Sequence, residues 1–391
     1  MRCILALKLR KATFRLEEPT LESFTTEQQE TLRSIRVSRI LLPVLIGVGV
    51  VLYLLWRQFD PKEFEQIQWT NRTLFWIAIA ALILVIRHLA YAWRLRILSE
   101  GAFSWRKCIE LIFIWEFSSA VSPTSVGGSA VAFLVLAQEK LPTAKTTTMV
   151  LYTLILDAAF FVLLTPLLLL IYGTTIIRPD MHQLSDISGW GYVFFISFAF
   201  MALYGGFFAY GLFVSPEKLK RSLHWLSRRK WFSRYKKRLE KLGEDMLVAS
   251  RELARQNWPF HIKAFTATAI AWAGRFLSLN AIIIALVTTV PVALGFQFEL
   301  FARLVAMFLV LFLSPTPGGA GIIEILFNGF LSDYLLNPTF STIIATLWRL
   351  MTYYVYLLAG VVIVPNWIRK IVNEKKSRKS TQYSKVNRSA G

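Results

Sequence analysis

The apolar positions of this chain fall into eight blocks, separated by polar and mostly basic segments. Six blocks read as full spans: residues 40–56, 73–92, 146–172, 190–213, 264–290 and 340–364. A crossing helix needs about 20 such residues to traverse ~30 Å of hydrocarbon. The other two blocks, 109–138 and 300–331, are interrupted by proline and glycine. The interruptions leave arms of roughly 10 to 14 residues, too short to cross independently. Each is expected to be a re-entrant hairpin, because non-helical backbone at membrane depth survives only where protein or a wet cavity satisfies its polar groups. The fold expected is an all-α integral membrane protein of six full transmembrane helices plus two re-entrant hairpins.

The two breaks resemble each other: SPTSVGG at 122–128 and SPTPGG at 314–319, 192 residues apart. Asp157 follows Ser122 by 35 residues, as Arg349 follows Ser314. An internal repeat is predicted. Lys140 and Lys145 follow the first hairpin, whereas the loop after the second holds Asp333 and no base. The halves should therefore be inverted, with span 73–92, hairpin and span 146–172 mapping onto span 264–290, hairpin and span 340–364. Inverted repeats with broken helices meeting near the midplane are an architecture of alternating-access transport.

Composition agrees with a bilayer environment. The chain of 391 residues is 55% hydrophobic, with mean hydropathy +0.49, more apolar surface than a soluble core hides. The net charge of +20 raises nucleic acid as a partner, but its distribution points elsewhere. Of 44 Lys and Arg, 36 lie in residues 1–39, 93–108, 139–145, 214–263 and 366–391, and only Arg57, Lys62, Arg72 and Arg178 fall in the alternating loops. By the positive-inside rule both termini face the cytoplasm across the inner cell membrane, and nucleic acid is not expected as a partner. The expected organisation is a cytoplasmic segment 1–39 without a signal peptide, a membrane domain 40–365 and a basic, disordered tail 366–391. Within the domain, residues 215–263 carry 14 Lys and Arg against 5 Asp and Glu, with Tyr235, Leu239, Leu242 and Met246 at helical spacing. A basic amphipathic helix on anionic headgroups is expected there.

The breaks are also candidate binding elements. Pro315 and Pro317 should end one half-helix, while Gly318, Gly319 and Gly321 let the backbone turn into the next. The new helix end presents free N–H groups and a partial positive charge, which suit a phosphate or carboxylate. Ser314 and Thr316 complete this candidate site; Ser122, Pro123, Thr124, Gly127, Gly128 and Ser129 form its counterpart. Ionisable residues within apolar spans cost about 2.5–3.5 kcal/mol each on insertion scales and default to functional candidates. Here they are Arg87, Glu110, Glu116, Asp157, Arg275, Glu324 and Arg349. The repeat pairs Asp157 with Arg349 and leaves Arg275 or Arg349 to hold a phosphate. Arg87 and His88 are expected as interfacial anchors, and Glu324 as a cap in the first turn of its half-helix.

Pro-Gly-Gly-x-Gly followed by Glu324, the earlier Pro-x-x-x-Gly-Gly from Pro123 to Gly128, and LWRLMTYYVYLLAG with Arg349 and Gly360 together resemble the transmembrane region of lysylphosphatidylglycerol synthases. The resemblance covers roughly residues 40–370. It implies a flippase-like membrane fold that moves lipids or lipid-linked headgroups between leaflets. Where relatives carry an acidic and then a basic residue after the first Gly-Gly, this chain has Ser129 and Ala132; where they carry Glu-Arg before the aspartate, it has Thr153 and Leu154. Both differences remove charge, so a lysyl headgroup is not implied. The synthases' soluble aminoacyltransferase domain has no counterpart in residues 366–391, so synthesis of that lipid is not expected either.

The expected function is transport of an anionic phospholipid or lipid-linked headgroup across the cytoplasmic membrane, with membrane lipids as partners and a separate lipid-modifying enzyme as a supplier of substrate. The alternatives are a membrane-embedded transferase acting on a lipid-linked substrate, or a scaffold of an envelope lipid pathway. Neither Ser122 nor Ser314 has a neighbouring base for nucleophilic catalysis. Asp60, Asp180 and Asp186 are scattered, His88, His182, His224 and His261 are far apart, and Cys3 and Cys108 have no ligand spacing, so no catalytic residue, metal or cofactor is expected.

Overall fold

A computed structural model describes residues 65, 69–121, 133, 135–139, 141–177, 181, 189–229, 235–313, 322–331, 333–334 and 338–371. Among them, every regular element is helical. In chain order they are α1 (Asn71–Leu98), α2 (Trp105–Val121), α3 (Thr143–Tyr172) and α4 (Trp190–Ala209). These are followed by α5 (Pro216–Ser227), α6 (Lys236–Leu253), α7 (Trp258–Leu286), α8 (Leu294–Phe312), α9 (Ile322–Phe330) and α10 (Pro338–Arg349). A π-helical turn, Leu350–Tyr354, continues α10 within the span Ile343–Ile371. Helix starts follow local chemistry. Thr70 Oγ1 accepts from the Thr73 amide at 3.3 Å, and Asn257 Oδ1 accepts from the Phe260 amide at 3.1 Å ahead of α7.

Among the described residues, six helices are long and apolar enough to cross a membrane. Five of them correspond to the expected spans 73–92, 146–172, 190–213, 264–290 and 340–364; block 40–56 lies outside the described residues. The sixth is α8, 19 residues long, where a short hairpin arm was expected. The polar Gln297 and Glu299 lie ahead of the apolar block expected from residue 300, yet both fit the helix, which starts at Leu294. Gln297 binds Asn280 Nδ2 at 3.0 Å through its side-chain oxygen, and Glu299 pairs with Arg303 one turn later at 3.1 Å. Similarly, α2 reaches 17 residues by including Arg106 and Lys107. The turn residues 122–132 and 314–321 of both blocks lie outside the described residues.

The bundle is built around α7 and α8, of whose apolar windows 67% and 61% are buried inside the protein, against 17% for the Trp190–Val214 span that contains α4. Leu82, Leu163, Leu170, Leu203 and Val362 point outward and are more than half exposed, as lipid-facing side chains are. Helices α1 and α7 pack along each other. Arg72 at the start of α1 donates to Thr288 O just past α7, while Glu100 after α1 binds both Lys145 (2.8 Å) and Gln256 (3.0 Å) near the starts of α3 and α7. These contacts define two opposite ends of the bundle.

Helices α5 and α6 form an antiparallel pair bridged by Lys220–Glu244, His224–Glu240 and Arg251–Glu217. The stripe expected on headgroups is partly turned into protein. Met246 is fully buried, and a Cβ on Gly211 would overlap Met246 Cε and Leu219 Cδ2, while Tyr235 remains 47% exposed. Burial holds the Asp245 carboxyl above its usual range, an effect Lys241 only partly offsets. The folded state therefore binds its proton more tightly, and stability falls as pH rises through the window above the ordinary carboxylate value. Asp245→Asn is expected to raise Tm by about 1–2 °C at pH 7.5 and to leave it unchanged near pH 3.5. A thermal melt in detergent at the two pH values checks this, and an equal shift at both would refute it.

Candidate functional site

The centre of the bundle holds a chain of charged and aromatic side chains running from α2 to α7. Helices α1 and α7 approach closely because residue 274 is glycine, where a Cβ would lie 3.2 Å from Arg87 Cβ. Arg87 has no exposed surface. Its guanidinium donates to Glu116 Oε1 on α2 at 2.8 Å and to the Tyr356 hydroxyl of the last span at 3.1 Å. That hydroxyl also meets His88 Nδ1 at 3.1 Å, and the His88 ring packs on Phe113 and Tyr356. Three helices are thus joined at one buried ion pair, where removing either charge strands the other.

One turn on, Tyr91 lies between two guanidinium groups, with Arg87 4.9 Å and Arg94 4.8 Å from its ring centroid. Arg94 donates to Asp157 Oδ1 on α3 at 2.5 Å and to Thr268 Oγ1 on α7 at 3.3 Å. The same carboxylate oxygen accepts from Trp272 Nε1 at 2.9 Å. Trp272 then leads to Arg275, whose guanidinium carbon sits 5.7 Å from the Trp272 centroid, 4.9 Å from Phe308 and 5.8 Å from Trp348. Arg275 is within electrostatic reach of Glu116 and Arg87.

Arg275 differs from its neighbours. Arg87 has Glu116 and Arg94 has Asp157, but among the described residues no side chain accepts a hydrogen bond from Arg275; its buried Nε, like that of Arg87, has no partner among them. Aromatic faces hold a guanidinium by cation–π attraction and leave its in-plane N–H edge available. Arg275 is more than two turns from either end of α7, too far to reach water by extension along the helix.

Several expectations change. Asp157 pairs with Arg94 rather than Arg349, because α7 packs on both α1 and α3 and holds the two groups together through Thr268 and Trp272. Arg349 is buried and has a partner of its own. Arg87 and His88 are not interfacial anchors but buried partners of Glu116 and Tyr356. Arg94, counted with the cytoplasmic bases, is buried too. The available signal was periodicity: residues 87, 91 and 94 share one face of α1. Glu324 is the third residue of α9. The hairpin candidates Ser122, Pro123, Thr124, Gly127, Gly128, Ser129, Ser314, Pro315, Thr316, Pro317, Gly318, Gly319 and Gly321 lie outside the described residues.

Each end of the bundle carries an ion-pair cluster. At one, Lys107 of α2 pairs with Glu139 at 2.7 Å, Trp367 Nε1 donates to Glu139 at 2.5 Å, and Glu110 faces Lys107 and Lys370. At the other, Arg303 of α8 pairs with Asp333 at 2.6 Å and lies 4.7 Å from the Tyr334 ring centroid. Among the described residues, no group of three or more His, Cys, Asp or Glu could hold a metal ion.

Residues 40–360, which contain the whole Glu116-to-Arg275 chain, match the family model described as the lysylphosphatidylglycerol synthase TM region. The chain belongs to that family. A relative within reach of sequence comparison is a UPF0104 membrane protein of Archaeoglobus fulgidus, 23% identical over 305 residues that cover 74% of this chain and 85% of the other. No solved structure matches. In this member of the lysylphosphatidylglycerol synthase TM family, Gly360 of the motif noted above has a definite role. It lies against Phe117, so the ring from α2 rests directly on the backbone of the last span.

Proposed function

We propose that this protein moves a lipid with an anionic headgroup between the leaflets of the cytoplasmic membrane. The observation that carries the reading is Arg275, a guanidinium inside an apolar bundle, held by three rings and lacking a carboxylate among the described residues. A soluble anion would need a water-filled route to reach it, whereas a lipid headgroup arrives with its apolar tails already in the hydrocarbon. Membership of a family named for lipid synthases supports a lipid substrate.

The two end clusters support an inverted pair of re-entrant hairpins. Lys107–Glu139 ties the two arms of the first block at one end, and Arg303–Asp333 ties the second at the opposite end. Such a pair gives one central site with two possible mouths. The test is reconstitution into liposomes with fluorescent lipids, followed by bleaching with a membrane-impermeant reductant. The wild-type protein is expected to expose anionic lipid faster than empty vesicles, and Arg275→Gln to slow it by roughly tenfold, the scale of one charge-assisted contact. Wild-type flipping speed in a folded Arg275→Gln variant would sink the assignment of Arg275, and an inert wild-type protein would favour the transferase or scaffold alternative.

A further inference from the structure

The π-helical turn of the last span, Leu350–Tyr354, directly follows Trp348, whose ring lies on Arg275, and Arg349. We infer that this turn is a register switch: displaced towards the N-terminus, it withdraws the Trp348 ring from Arg275 and puts the Arg349 guanidinium in its place. The inference rests on the reading of Arg275 as the ligand contact.

The geometry follows from counting residues. In an α-helix each residue advances about 100° around the axis, so Trp348 and Tyr356, eight residues apart, would point about 80° apart. A π turn bonds i to i+5 and takes in one residue more than an α turn. With that residue absorbed, the separation equals seven α-helical residues, about 700°, and the two side chains lie within about 20° of one another. The contacts agree: Trp348 meets Arg275 of α7, and Tyr356 meets Arg87 and His88 of α1, which packs along α7. Moving the extra residue to the N-terminal side of Trp348 gives residues 348 and 349 the register of the C-terminal part. Each then takes the place now held by the residue before it. Arg349 comes to Arg275, and Trp348 goes to the half-buried place of Leu347.

The N-terminal side is the one free to change. Beyond the turn the helix is fixed by Tyr356 on Arg87, Gly360 against Phe117 and Trp367 on Glu139. Before it, the buried Trp348 indole N–H has no partner among the described residues, so its withdrawal breaks no hydrogen bond of that side chain. Within it, Thr352 Oγ1 donates to the Trp348 carbonyl at 2.7 Å, a partner that does not depend on which backbone amide faces that oxygen. Charge sets the direction. Two guanidinium groups side by side repel, so the empty site favours the indole register, in which Arg349 keeps its present contact. An anion held between Arg275 and Arg349 reverses the sign of that interaction and shifts the population to the second register.

The test reads the register directly, so that it is separable from the transport reading. The purified full chain in a neutral detergent carries fluorotryptophan at position 348 alone and is followed by fluorine NMR, with and without dioleoyl phosphatidylglycerol. Two resonances are expected, the second holding about 10% of the signal or less without the lipid and most of it at saturation. Deletion of Met351 removes the extra residue and leaves Trp348 and Tyr356 on one face of a continuous α-helix, with the indole held on Arg275. That variant is expected to melt within about 2 °C of the wild type, to show one resonance with or without the lipid, and to flip lipid at least about tenfold more slowly. Deletion of Leu350 makes the same change and serves if the first variant does not fold. A single wild-type resonance that the lipid leaves unmoved overturns the inference. So does a second resonance that survives the deletion, since the ring would then be flipping in place, or a deletion variant that flips lipid at wild-type speed. If neither deletion variant folds, the flanking helices depend on the turn's own residues, and the switch fails as well. A lipid-dependent second resonance in protein that flips nothing in liposomes would instead refute transport and leave the switch standing.

Discussion

Glu116→Ala is expected to destabilise the protein by about 3–5 kcal/mol, the cost of leaving a buried charge without its partner. Arg87 has no exposed surface, and Glu116 is the carboxylate that meets it, at 2.8 Å. The Tyr356 hydroxyl, at 3.1 Å, remains as a neutral acceptor but cannot neutralise the guanidinium. A Tm lower by on the order of 5–10 °C should be visible in a detergent melt followed by tryptophan fluorescence. The paired change Arg87→Met with Glu116→Leu removes both charges at similar volume and should recover most of the loss. If Glu116→Ala melts within a degree of wild type, Arg87 has some other route to compensation and the three-helix junction is not what it is taken to be.

Gly360→Ala is the second large effect, and it acts through packing alone. A Cβ at that position would overlap Cγ and Cδ2 of Phe117 and lie 2.8 Å from its Cβ. Phe117 is itself buried, so its ring has no free space to swing into. The last span and α2 must separate instead, at an overpacking cost of about 1–3 kcal/mol. Because Phe117 adjoins Glu116, the separation also draws the carboxylate from Arg87, and transport should fall with stability. Trimming the ring in the double variant Gly360→Ala, Phe117→Leu should restore both melting temperature and flipping. A single variant that folds and flips as the wild type does would remove Gly360 from the junction.

The five spans recovered from sequence were legible because length and hydropathy dictate them: with no water in the hydrocarbon, a run of this kind has few alternatives to a helix. The start of α8 was not legible, because Gln297 and Glu299 read as polar residues ahead of the apolar block until Asn280 and Arg303 are brought beside them. Asp157 and Arg275 were found as intramembrane charges, but their partners were not. Counting basic residues near helix ends assigns Arg94 to the interface and Arg87 to an anchor. What decides their fate is which face of α1 they occupy and that α7 covers it, which is tertiary information. The repeat offset related Asp157 to Arg349 as equivalents, and equivalence by symmetry does not make two residues touch. Tyr356 and Trp272, the aromatic donors and acceptors of the network, carry no charge to draw attention to them in sequence.

Tyr91 between its two guanidinium groups has a mechanical consequence. Arg87, Tyr91 and Arg94 form one stripe on α1, and that stripe engages α2, α3, α7 and the last span together. Turning α1 about its axis by a single residue's worth of rotation, about 100°, would sever every one of those attachments at once. Helix α1 is therefore keyed in its rotational setting: it can tilt, but it cannot spin without breaking its links to four neighbours at once.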